Sequence, residues 1–508
     1  MTNRRAALLV ALFAGVLYAP ALGGGYVLDD DRAILFHPAV TGQAPVWQVF
    51  SREFWGAPLG QAWSSSYRPL TTLGFAFEHR ITPAPWLHHL VNVALYGALA
   101  FLLCRVARRW LSERGAVVAG VLFACLPIHV ESVAGLVGRA DVLAGLFCLG
   151  AVALVGPLRP RVLCACACYL GGLLSKETVA LLPLLVAWMA MVDLRRERAP
   201  RGAWLPALAP SLALAAVGLG YLTFRWRFLP PVLPAEFVLA DNALHGVHGA
   251  ARIWGNLAVL GRYAELVLAP VRLCADHTYA DLVPPVGLFD PASPWSVVGL
   301  SCGAAALHSG WRAWCGRGRG LLFAVLIAYL LVGQWVMDLS VLIAERLMLW
   351  PSLWLCLAAA AALDRALDSA RARVLVAALA GLMCMRTVTR VLDWRDEVRL
   401  LSSSAEACPR AVHGRLNLAE ALTRAGRPAE AVWQYAMAAA GRSAFPGRFD
   451  VPALEAEARL ALDERLRRMP ELMGASDPRA FLAALHQYLL ANGATAEARI
   501  VAELGRAR

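Results

Sequence analysis

Charged residues are scarce in this chain, and lysine is almost absent. Only 17% of the 508 residues are charged and 59% are hydrophobic, whereas an ordinary soluble domain has about 25% charged and about 45–50% apolar residues. This composition excludes a single soluble globular enzyme, a disordered scaffold and a collagen-like fibre, and it leaves a polytopic membrane protein. Lys176 is the only lysine, so arginine carries nearly all of the positive charge behind the net charge of +12.

The chain also lacks any cysteine spacing that is typical of a metal site. Most of its twelve cysteines, such as Cys104, Cys125 and Cys148, lie in apolar segments, where cysteine behaves as a small hydrophobic residue. We therefore expect the cysteines to have structural roles. A convincing cleavage site is likewise missing after the first apolar stretch, so we expect an uncleaved first helix.

Long apolar stretches are what the chain has in abundance, and we interpret eleven of them as membrane spans. They cover residues 6–22, 87–104, 115–128, 140–155, 162–174, 179–194, 204–224, 293–307, 320–336, 347–363 and 374–391. Short arginine-rich loops stay in the cytoplasm, and with the N-terminus inside, these loops all fall on that side. The basic charge thus reports membrane topology, and we expect no nucleic-acid partner.

One further apolar segment, residues 251–271, would break this alternation if it crossed the membrane. It carries Arg252, Arg262 and Glu265, so we predict an amphipathic or partly re-entrant helix at the outer interface. The first outer loop (23–86), a large outer loop (230–292) and the chain after about residue 389 then lie on the outer side.

The last part of the chain, residues 392–508, has the pattern of a soluble helical domain. Residues 413–440 predict a tetratricopeptide-like helix pair with Gly426 in its turn, residues 451–469 a degenerate second pair, and residues 478–507 a third. Three such repeats are about the minimum that buries a stacked core. A repeat groove binds extended peptide, which indicates a protein substrate or partner; a generic helical tail is the alternative.

Unusual polar groups follow or precede the predicted spans on the outer side. The triplet Asp29, Asp30 and Asp31 suits a general base, because neighbouring like charges raise at least one pKa. It also suits a divalent-cation site, or else a solvated acidic cap at a helix end. The aromatic residues Phe50, Phe54 and Trp55 in the same loop are expected on the membrane surface.

Further ionisable residues lie at or inside the membrane boundary, where they are costly and mark a site. Glu131 or Asp141 could simply neutralise Arg139, and Lys176 could either bind a lipid-linked phosphate or extend to the interface. The remaining residues of this kind are Arg68, His129, Glu177, Asp276, Glu345 and Arg346. Their convergence on one face fits an interfacial enzyme better than a transporter, whose charges lie near the midplane.

Eight segments, in this order, resemble the transmembrane and tetratricopeptide-repeat protein O-mannosyltransferases. They are YVLDDDRAI, FWG…SYRPLT, HHLVNVALY, LPIHVESVAGLVGRADVLAG, LLSKET, RLCADHTYADLVPP, AERLMLWPS and VLDWRDEVRLLSSSAEACPRA. Each motif is modest alone, but together they are specific and cover almost the whole membrane part. The resemblance implies an all-α fold: a GT-C-like membrane helical bundle of about eleven spans in residues 1–391, followed by the repeat domain in residues 392–508.

The same resemblance implies a glycosyltransferase that moves a sugar, mannose first, from a polyprenyl-phosphate donor to Ser or Thr of a protein acceptor with inversion. The acidic pair that opens the first outer loop is catalytic in that family, and it corresponds here to Asp29 and Asp30. We infer that the donor phosphate is bound by four cations, Arg68, Arg139, Lys176 and Arg346. We expect supporting roles for His129, Glu131, Asp141, Glu177, Asp276 and Glu345. The resemblance fixes no cofactor, and a divalent cation at Asp29 and Asp30 stays open.

Three repeats replace the long array of the animal members, so the acceptor and the sugar stay open. The lysine-poor composition favours a bacterial inner-membrane protein with a periplasmic site; in a eukaryote the equivalent is the endoplasmic reticulum membrane. Two other function classes are a transporter or flippase of lipid-linked sugars and a non-catalytic membrane-anchored scaffold. The transporter predicts inverted repeats and midplane charges, which the sequence does not show.

Overall fold

The computed structural model describes residues 3–61, 64–155, 161–229, 242–277, 293–441, 477–491 and 495–506, with residues 283–285, 287, 289–290 and 470. Over these residues the chain is a succession of helices without a β-sheet. Two isolated bridges join Arg52 to Pro58 and His277 to Ile343. The predicted all-α architecture, a membrane helical bundle with a helical C-terminal part, is confirmed.

The N-terminal part contains fifteen described α-helices. They are α1 Asn3–Tyr18, α2 Pro38–Thr41, α3 Pro69–Ile81, α4 Pro85–Ala107, α5 Glu113–Cys125, α6 Val130–Val133, α7 Arg139–Leu154, α8 Val162–Leu173, α9 Leu182–Arg196, α10 Trp204–Phe228, α11 Gly249–Leu268, α12 Ser293–Trp314, α13 Leu321–Val332, α14 Leu349–Ala366 and α15 Ala370–Asp393. Local sequence signals determine where several helices begin. Proline is the first residue of α3 and α4, a position where its missing N–H costs no intrahelical hydrogen bond. Ser112 caps α5 by accepting the Gly115 N–H at 3.0 Å.

Each of the eleven predicted spans is helical, although they differ in length. Within the described part of the chain, seven helices are long and apolar enough to cross a membrane, and an eighth span results if α5 and the segment Pro127–Val133 count as one. These two parts meet at an angle of 59°, because Pro127 follows an extended Leu126. With only twelve residues each, α8 and α13 are short for a span. The number of eleven crossings therefore stays a prediction.

The bundle core is built from small and aromatic residues that let helices approach closely. Tyr96, Phe123 and Trp354 are fully buried within it. A Cβ atom on Gly97 of α4 would lie 3.1 Å from the carbonyl oxygen of Ala11 in α1. Small residues at such crossings are the usual way to pack helices in lipid.

Residues 251–271, predicted to be an interfacial helix, lie largely within α11. This helix is not among those apolar enough to cross a membrane. It packs tightly against α12 through two glycines: a Cβ on Gly261 would lie 1.9 Å from the Trp295 carbonyl oxygen, and one on Gly299 1.9 Å from the Leu257 carbonyl oxygen. The pair forms a helical hairpin, and its position at the outer interface stays a prediction.

The C-terminal part consists of helix pairs where the structure describes it. The helices are α16 Glu397–Ala407, α17 Val412–Arg424, α18 Pro428–Gly441, α19 Pro478–Ala491 and α20 Thr495–Arg506. The turn between α17 and α18 contains Gly426 with φ +72°, a backbone conformation that glycine adopts without strain. The predicted pairs over residues 413–440 and 478–507 coincide with α17–α18 and α19–α20, within one or two residues at their ends. The predicted pair over residues 451–469 lies outside the described residues.

The C-terminal helices are joined to the bundle by a shared core. Leu401, Val412 and Leu416 pack in one buried cluster with Tyr263 of α11 and Met348 ahead of α14. Arg395, which lies between α15 and α16, donates to the Gly23 carbonyl oxygen after α1, with 3.2 Å between Nη2 and the oxygen. The C-terminal part is thereby fixed over the end of the bundle where α1 ends and α14 begins.

Candidate active site

The predicted site residues lie where helices of the bundle begin or end, all at the end that the C-terminal part covers. Chain order explains this, because each helix that runs toward this end is followed by a turn and a helix that runs away from it. Asp29 follows α1, Arg68 precedes α3, Lys176 lies between α8 and α9, and Arg346 precedes α14. Sequence alone therefore locates them correctly at helix ends.

The acidic triplet is divided by the fold into three different environments. Asp29 is exposed, Asp31 is partly exposed and Asp30 is fully buried. The Asp30 carboxylate accepts the backbone N–H groups of Val27 and Val137, each at 3.1 Å. Burial raises the pKa of Asp30 to about 7, which these two hydrogen bonds oppose and the Asp29 charge reinforces. Asp30 thus anchors the loop, and Asp29 is the carboxylate that is open to a ligand.

A strained residue directly precedes this open carboxylate. Leu28 has φ +52°, in the left-handed region that non-glycine residues rarely adopt. Such strain persists only where the surroundings enforce it, and it concentrates at functional sites. Here the Asp30 hydrogen bonds on both sides of the loop hold the turn, and Asp29 is presented outward as a result.

Arg346 connects this exposed carboxylate with a buried one. Its guanidinium interacts with Asp29 and forms an ion pair with the buried Glu131. The Glu131 carboxylate also accepts the Arg346 backbone N–H at 2.8 Å. Glu131 therefore orients Arg346, which keeps 27% of its side chain exposed.

Lys176, the only lysine of the chain, is buried and paired with Asp141. The distance from Lys176 Nζ to Asp141 Oδ2 is 2.5 Å, and each side chain is only 4% exposed. Burial lowers the pKa of Lys176 to about 8; Asp141 opposes this shift, whereas Arg68 and Arg346 reinforce it. The ammonium is therefore within electrostatic reach of both arginines.

Two arginines, Arg68 and Arg225, face the carboxylate of Glu177, the residue that follows Lys176. Arg68 Nη2 lies 3.7 Å from Glu177 Oε1, and Arg225 Nη1 lies 4.0 Å from Glu177 Oε2. Among the described residues, Arg68 Nε and Arg225 Nη1 are buried without a hydrogen-bond partner. Glu177 Oε2 is also buried without a hydrogen-bond partner, so these costly unpaired groups can be satisfied either by a shorter Arg225–Glu177 contact or by an additional anion. The Arg68 guanidinium also stacks on Phe54, 4.8 Å from the ring centre.

Arg139, by contrast, is committed to internal contacts. It donates to Glu78 Oε1 and Asn92 Oδ1, each at 2.5 Å, and to the His88 carbonyl oxygen at 2.8 Å. Its guanidinium lies 4.4 Å from the ring centre of Phe75. The alternative in which Glu131 or Asp141 neutralises Arg139 is wrong, because these acids pair with Arg346 and Lys176. All three guanidinium nitrogens of Arg139 already donate to protein acceptors, and the residue is only 1% exposed, so it is poorly placed to bind a phosphate.

Two of the remaining predicted residues, His129 and Glu345, make contacts that hold the structure around the site together. His129 is buried and lies 2.7 Å from Ser352 Oγ and 2.8 Å from Tyr96 Oη. Glu345 accepts the Cys274 backbone N–H at 2.6 Å and pairs with Arg390 at 3.5 Å. Asp276 is partly exposed in the segment that follows α11.

Sequence reasoning missed several partners that the fold supplies. Arg225 lies at the end of α10 and Arg390 near the end of α15, and neither is among the predicted site residues. Glu78 on α3 attracted no notice, although it is the counter-ion of Arg139. No local pattern could reveal these pairs, because their members come from distant segments.

The first outer loop only partly matches the expected membrane surface. Phe50 is exposed as predicted, together with Phe36 and Trp47. Phe54 is 1% exposed, because it packs in a small cluster with Phe75 and lies under Arg68. The prediction for Phe54 is therefore wrong.

A cation site at the acidic triplet does not emerge from the described residues. Both Asp30 oxygens already accept backbone N–H groups, and no third carboxylate, histidine or cysteine joins Asp29 and Asp30 within metal-ligand distances in the described part. The one described cluster of metal-ligand type lies elsewhere and consists of Cys274, His277 and Cys408. Cys274 and Cys408 thus lie where a metal ion could bind, and the structural role of the cysteines stays a prediction.

Comparison with characterised sequences identifies relatives of one kind. A protein O-mannosyl-transferase of Drosophila melanogaster, Tmtc2, is 40% identical over 51% of this chain and 24% of its own length. Protein O-mannosyl-transferases of Caenorhabditis elegans and Homo sapiens are each 26% identical over 84% and 85% of this chain. These matches cover 61% and 65% of the two relatives, so the chain spans less than two thirds of their length.

No protein-family model matches the chain, and no solved structure matches it. The similarity therefore rests on the curated relatives, which agree with one another in name and together match most of the chain. These matches confirm the resemblance carried by the eight motifs: the chain is a homologue of the transmembrane and tetratricopeptide-repeat protein O-mannosyl-transferases.

Proposed function

We propose that this protein is a membrane glycosyltransferase that transfers a sugar, with mannose as the first candidate, from a polyprenyl-phosphate donor to Ser or Thr hydroxyls of a protein. The observation that carries the proposal is an exposed carboxylate, Asp29, that interacts electrostatically with Arg346, which in turn interacts with Lys176, as does Arg68. Relatives named protein O-mannosyl-transferases support the reaction class.

In the proposed reaction Asp29 acts as the general base. Its carboxylate takes the proton of the acceptor hydroxyl while the acceptor oxygen forms a bond to the anomeric carbon. The bond between that carbon and the phosphate oxygen breaks on the opposite face, so the configuration inverts. Asp30 holds the loop, and the strained Leu28 directs Asp29 outward.

The cations stabilise the charge that develops on the departing polyprenyl phosphate. Arg346 and Lys176 are prealigned by Glu131 and Asp141, and prealigned charges need little reorganisation during the reaction. The unpaired donors on Arg68 and Arg225 provide additional hydrogen bonds for phosphate oxygens. Arg139 stays outside this set and acts as a scaffold residue.

The location of the site suggests the compartment and the acceptor. Arginine-rich connections lie at the opposite ends of the spans, so the site faces the non-cytoplasmic side: the periplasm of a bacterium or the lumen of the endoplasmic reticulum. The C-terminal helix pairs cover this end and would hold an extended segment of the protein acceptor as a repeat domain does.

The test uses the full-length protein in vesicles with a series of polyprenyl-phosphate sugars and a Ser/Thr peptide. Release of polyprenyl phosphate and the mass of the peptide are measured together. We expect Asp29→Asn to lower the turnover rate by more than about 100-fold, the scale of lost acid–base catalysis. Asp31→Asn, which removes a neighbouring carboxylate, is the matched control and should stay within about threefold of wild type.

Two results would contradict the proposal. Equal turnover in wild type and Asp29→Asn would exclude Asp29 as the base. Movement of an intact lipid-linked sugar across the vesicle membrane without release of polyprenyl phosphate would favour the transporter. If Arg346→Gln raises the donor KM and Arg114→Gln does not, the phosphate contact at this end of the bundle is supported.

A further inference from the structure

Two cysteines and a histidine from distant segments meet in a buried cluster beside the candidate active site. Cys274 and His277 lie in the segment that follows α11, and Cys408 ends α16. All three are at most 1% exposed, and their ligand atoms lie within 4.8 Å of one another. Cys408 Sγ is 3.5 Å from His277 Nδ1.

The backbone around the cluster is held from several sides. The Cys274 N–H donates to Glu345 Oε1 at 2.6 Å, and the neighbouring Ala275 N–H donates to Ser404 Oγ at 3.1 Å. His277 forms an isolated bridge with Ile343. The three side chains are therefore positioned by the start of α14 and by α16, and not by a flexible loop alone.

We propose that Cys274, His277 and Cys408 bind one divalent zinc-class ion that joins the C-terminal helices to the membrane bundle. Two thiolates and an imidazole are the soft donor set that zinc prefers, and donors around a tetrahedral zinc lie about 3.5–4 Å apart. The cluster needs a contraction of about 1 Å at most to reach this spacing. Binding releases the two thiol protons, and the fourth position is open to an oxygen ligand.

The ion would act on the active site through consecutive residues. Glu345 accepts the Cys274 N–H, and the next residue, Arg346, carries the guanidinium beside Asp29. A bound metal would thus fix the segment after α11, the start of α14 and the end of α16 as one unit. This inference concerns a metal site and does not depend on sugar transfer.

A disulfide between Cys274 and Cys408 is the competing state of the same thiols. It requires a sulfur–sulfur distance of about 2.05 Å and gives no role to His277. The imidazole Nδ1 that faces the Cys408 sulfur favours the metal. The two states predict different metal contents and different thiol counts, so they are distinguishable on the intact protein.

The experiment measures metal content on full-length protein that is purified through a tag without histidine. We expect about one zinc per chain in wild type, a loss of at least tenfold in Cys274→Ser and Cys408→Ser, and no change in Cys315→Ser, which replaces an exposed cysteine. Wild type exchanged into cobalt should show a thiolate-to-cobalt charge-transfer band, a readout that does not depend on the folding of any variant.

Alkylation before and after chelation completes the test. We expect Cys274 and Cys408 to react only after a chelator has removed the metal. A linked Cys274–Cys408 peptide in metal-free protein under non-reducing conditions would overturn the proposal in favour of a disulfide. Metal-free protein with two free thiols, or zinc that persists in both serine variants, would also overturn it.

Discussion

Replacement of Arg139 separates a scaffold cation from the cations of the candidate active site. Arg139 is 1% exposed and makes three hydrogen bonds, one of them to the carboxylate of Glu78. Arg139→Met leaves Glu78 buried with His88 as its remaining partner, at 2.6 Å. Removing one member of a buried ion pair costs about 3–5 kcal/mol, so we expect a fall of several degrees in the melting temperature.

The double variant Glu78→Leu with Arg139→Met sharpens this prediction. An apolar pair of similar volume leaves no buried charge behind, and such replacements are often close to neutral. We expect each single variant to be destabilised by about 3–5 kcal/mol and the double variant by much less than their sum, with a coupling of up to about 3 kcal/mol. Thermal unfolding in detergent measures all three against wild type.

The control for this cycle is an exposed ion pair at the other end of the bundle. Arg114 and Asp368 lie 2.9 Å apart with most of both side chains in solvent, where such a pair contributes about 0–1 kcal/mol. Arg114→Met should therefore leave the melting temperature nearly unchanged. Additive effects of Glu78→Leu and Arg139→Met, or a raised donor KM without destabilisation in Arg139→Met, would refute the scaffold role.

Three further predictions concern pH and packing. Burial raises the pKa of Asp30 to about 7, so the folded protein binds more protons than the unfolded chain between about pH 4 and 7. The free energy of unfolding should therefore fall as the pH rises through this window. Asp30→Asn should make the melting temperature depend less on pH there. Lys176 has a pKa of about 8, so its ammonium should lose its charge as the pH rises through 8. The affinity for the polyprenyl-phosphate donor should decline over this pH range in wild type and stay constant in Lys176→Arg. Gly299→Ala places a Cβ 1.9 Å from a carbonyl oxygen of α11, whereas the Cβ of Gly303→Ala on the same helix meets nothing within 4 Å. Overpacking costs about 1–3 kcal/mol, so the melting temperature should fall in Gly299→Ala and stay unchanged in Gly303→Ala.

The helices could be predicted from the sequence because apolar stretches and their caps are local signals. The turn at Gly426 between α17 and α18 and the helical character of residues 251–271 are examples. The number of crossings was harder to predict, because α8 and α13 have only twelve residues and α5 meets the next segment at 59°. Burial inside a bundle and contact with lipid select for the same apolar residues, so composition does not distinguish them.

Pairing within the site could not be predicted, because each pair joins segments that are far apart in sequence. Arg139 and Asp141 are neighbours on α7, yet one pairs with Glu78 of α3 and the other with Lys176. Successive positions on a helix face different directions, so two nearby charges serve two different sites. The cysteine cluster was missed for the same reason: 131 residues separate His277 from Cys408.

Neighbouring carboxylates explain how several cations can lie close together at the membrane boundary. Arg346, Lys176 and Arg68 would repel one another if left alone, and burying an unpaired charge is costly. Glu131, Asp141 and Glu177 each neutralise one of them. Of these contacts only the Arg68–Glu177 pair is too long for a hydrogen bond, and Arg225 faces the same carboxylate at 4.0 Å. We expect a phosphate to compete with the Glu177 carboxylate for the unsatisfied donors of Arg68 and Arg225, whereas the tightly bonded Arg346 and Lys176 contribute their charge without leaving their partners.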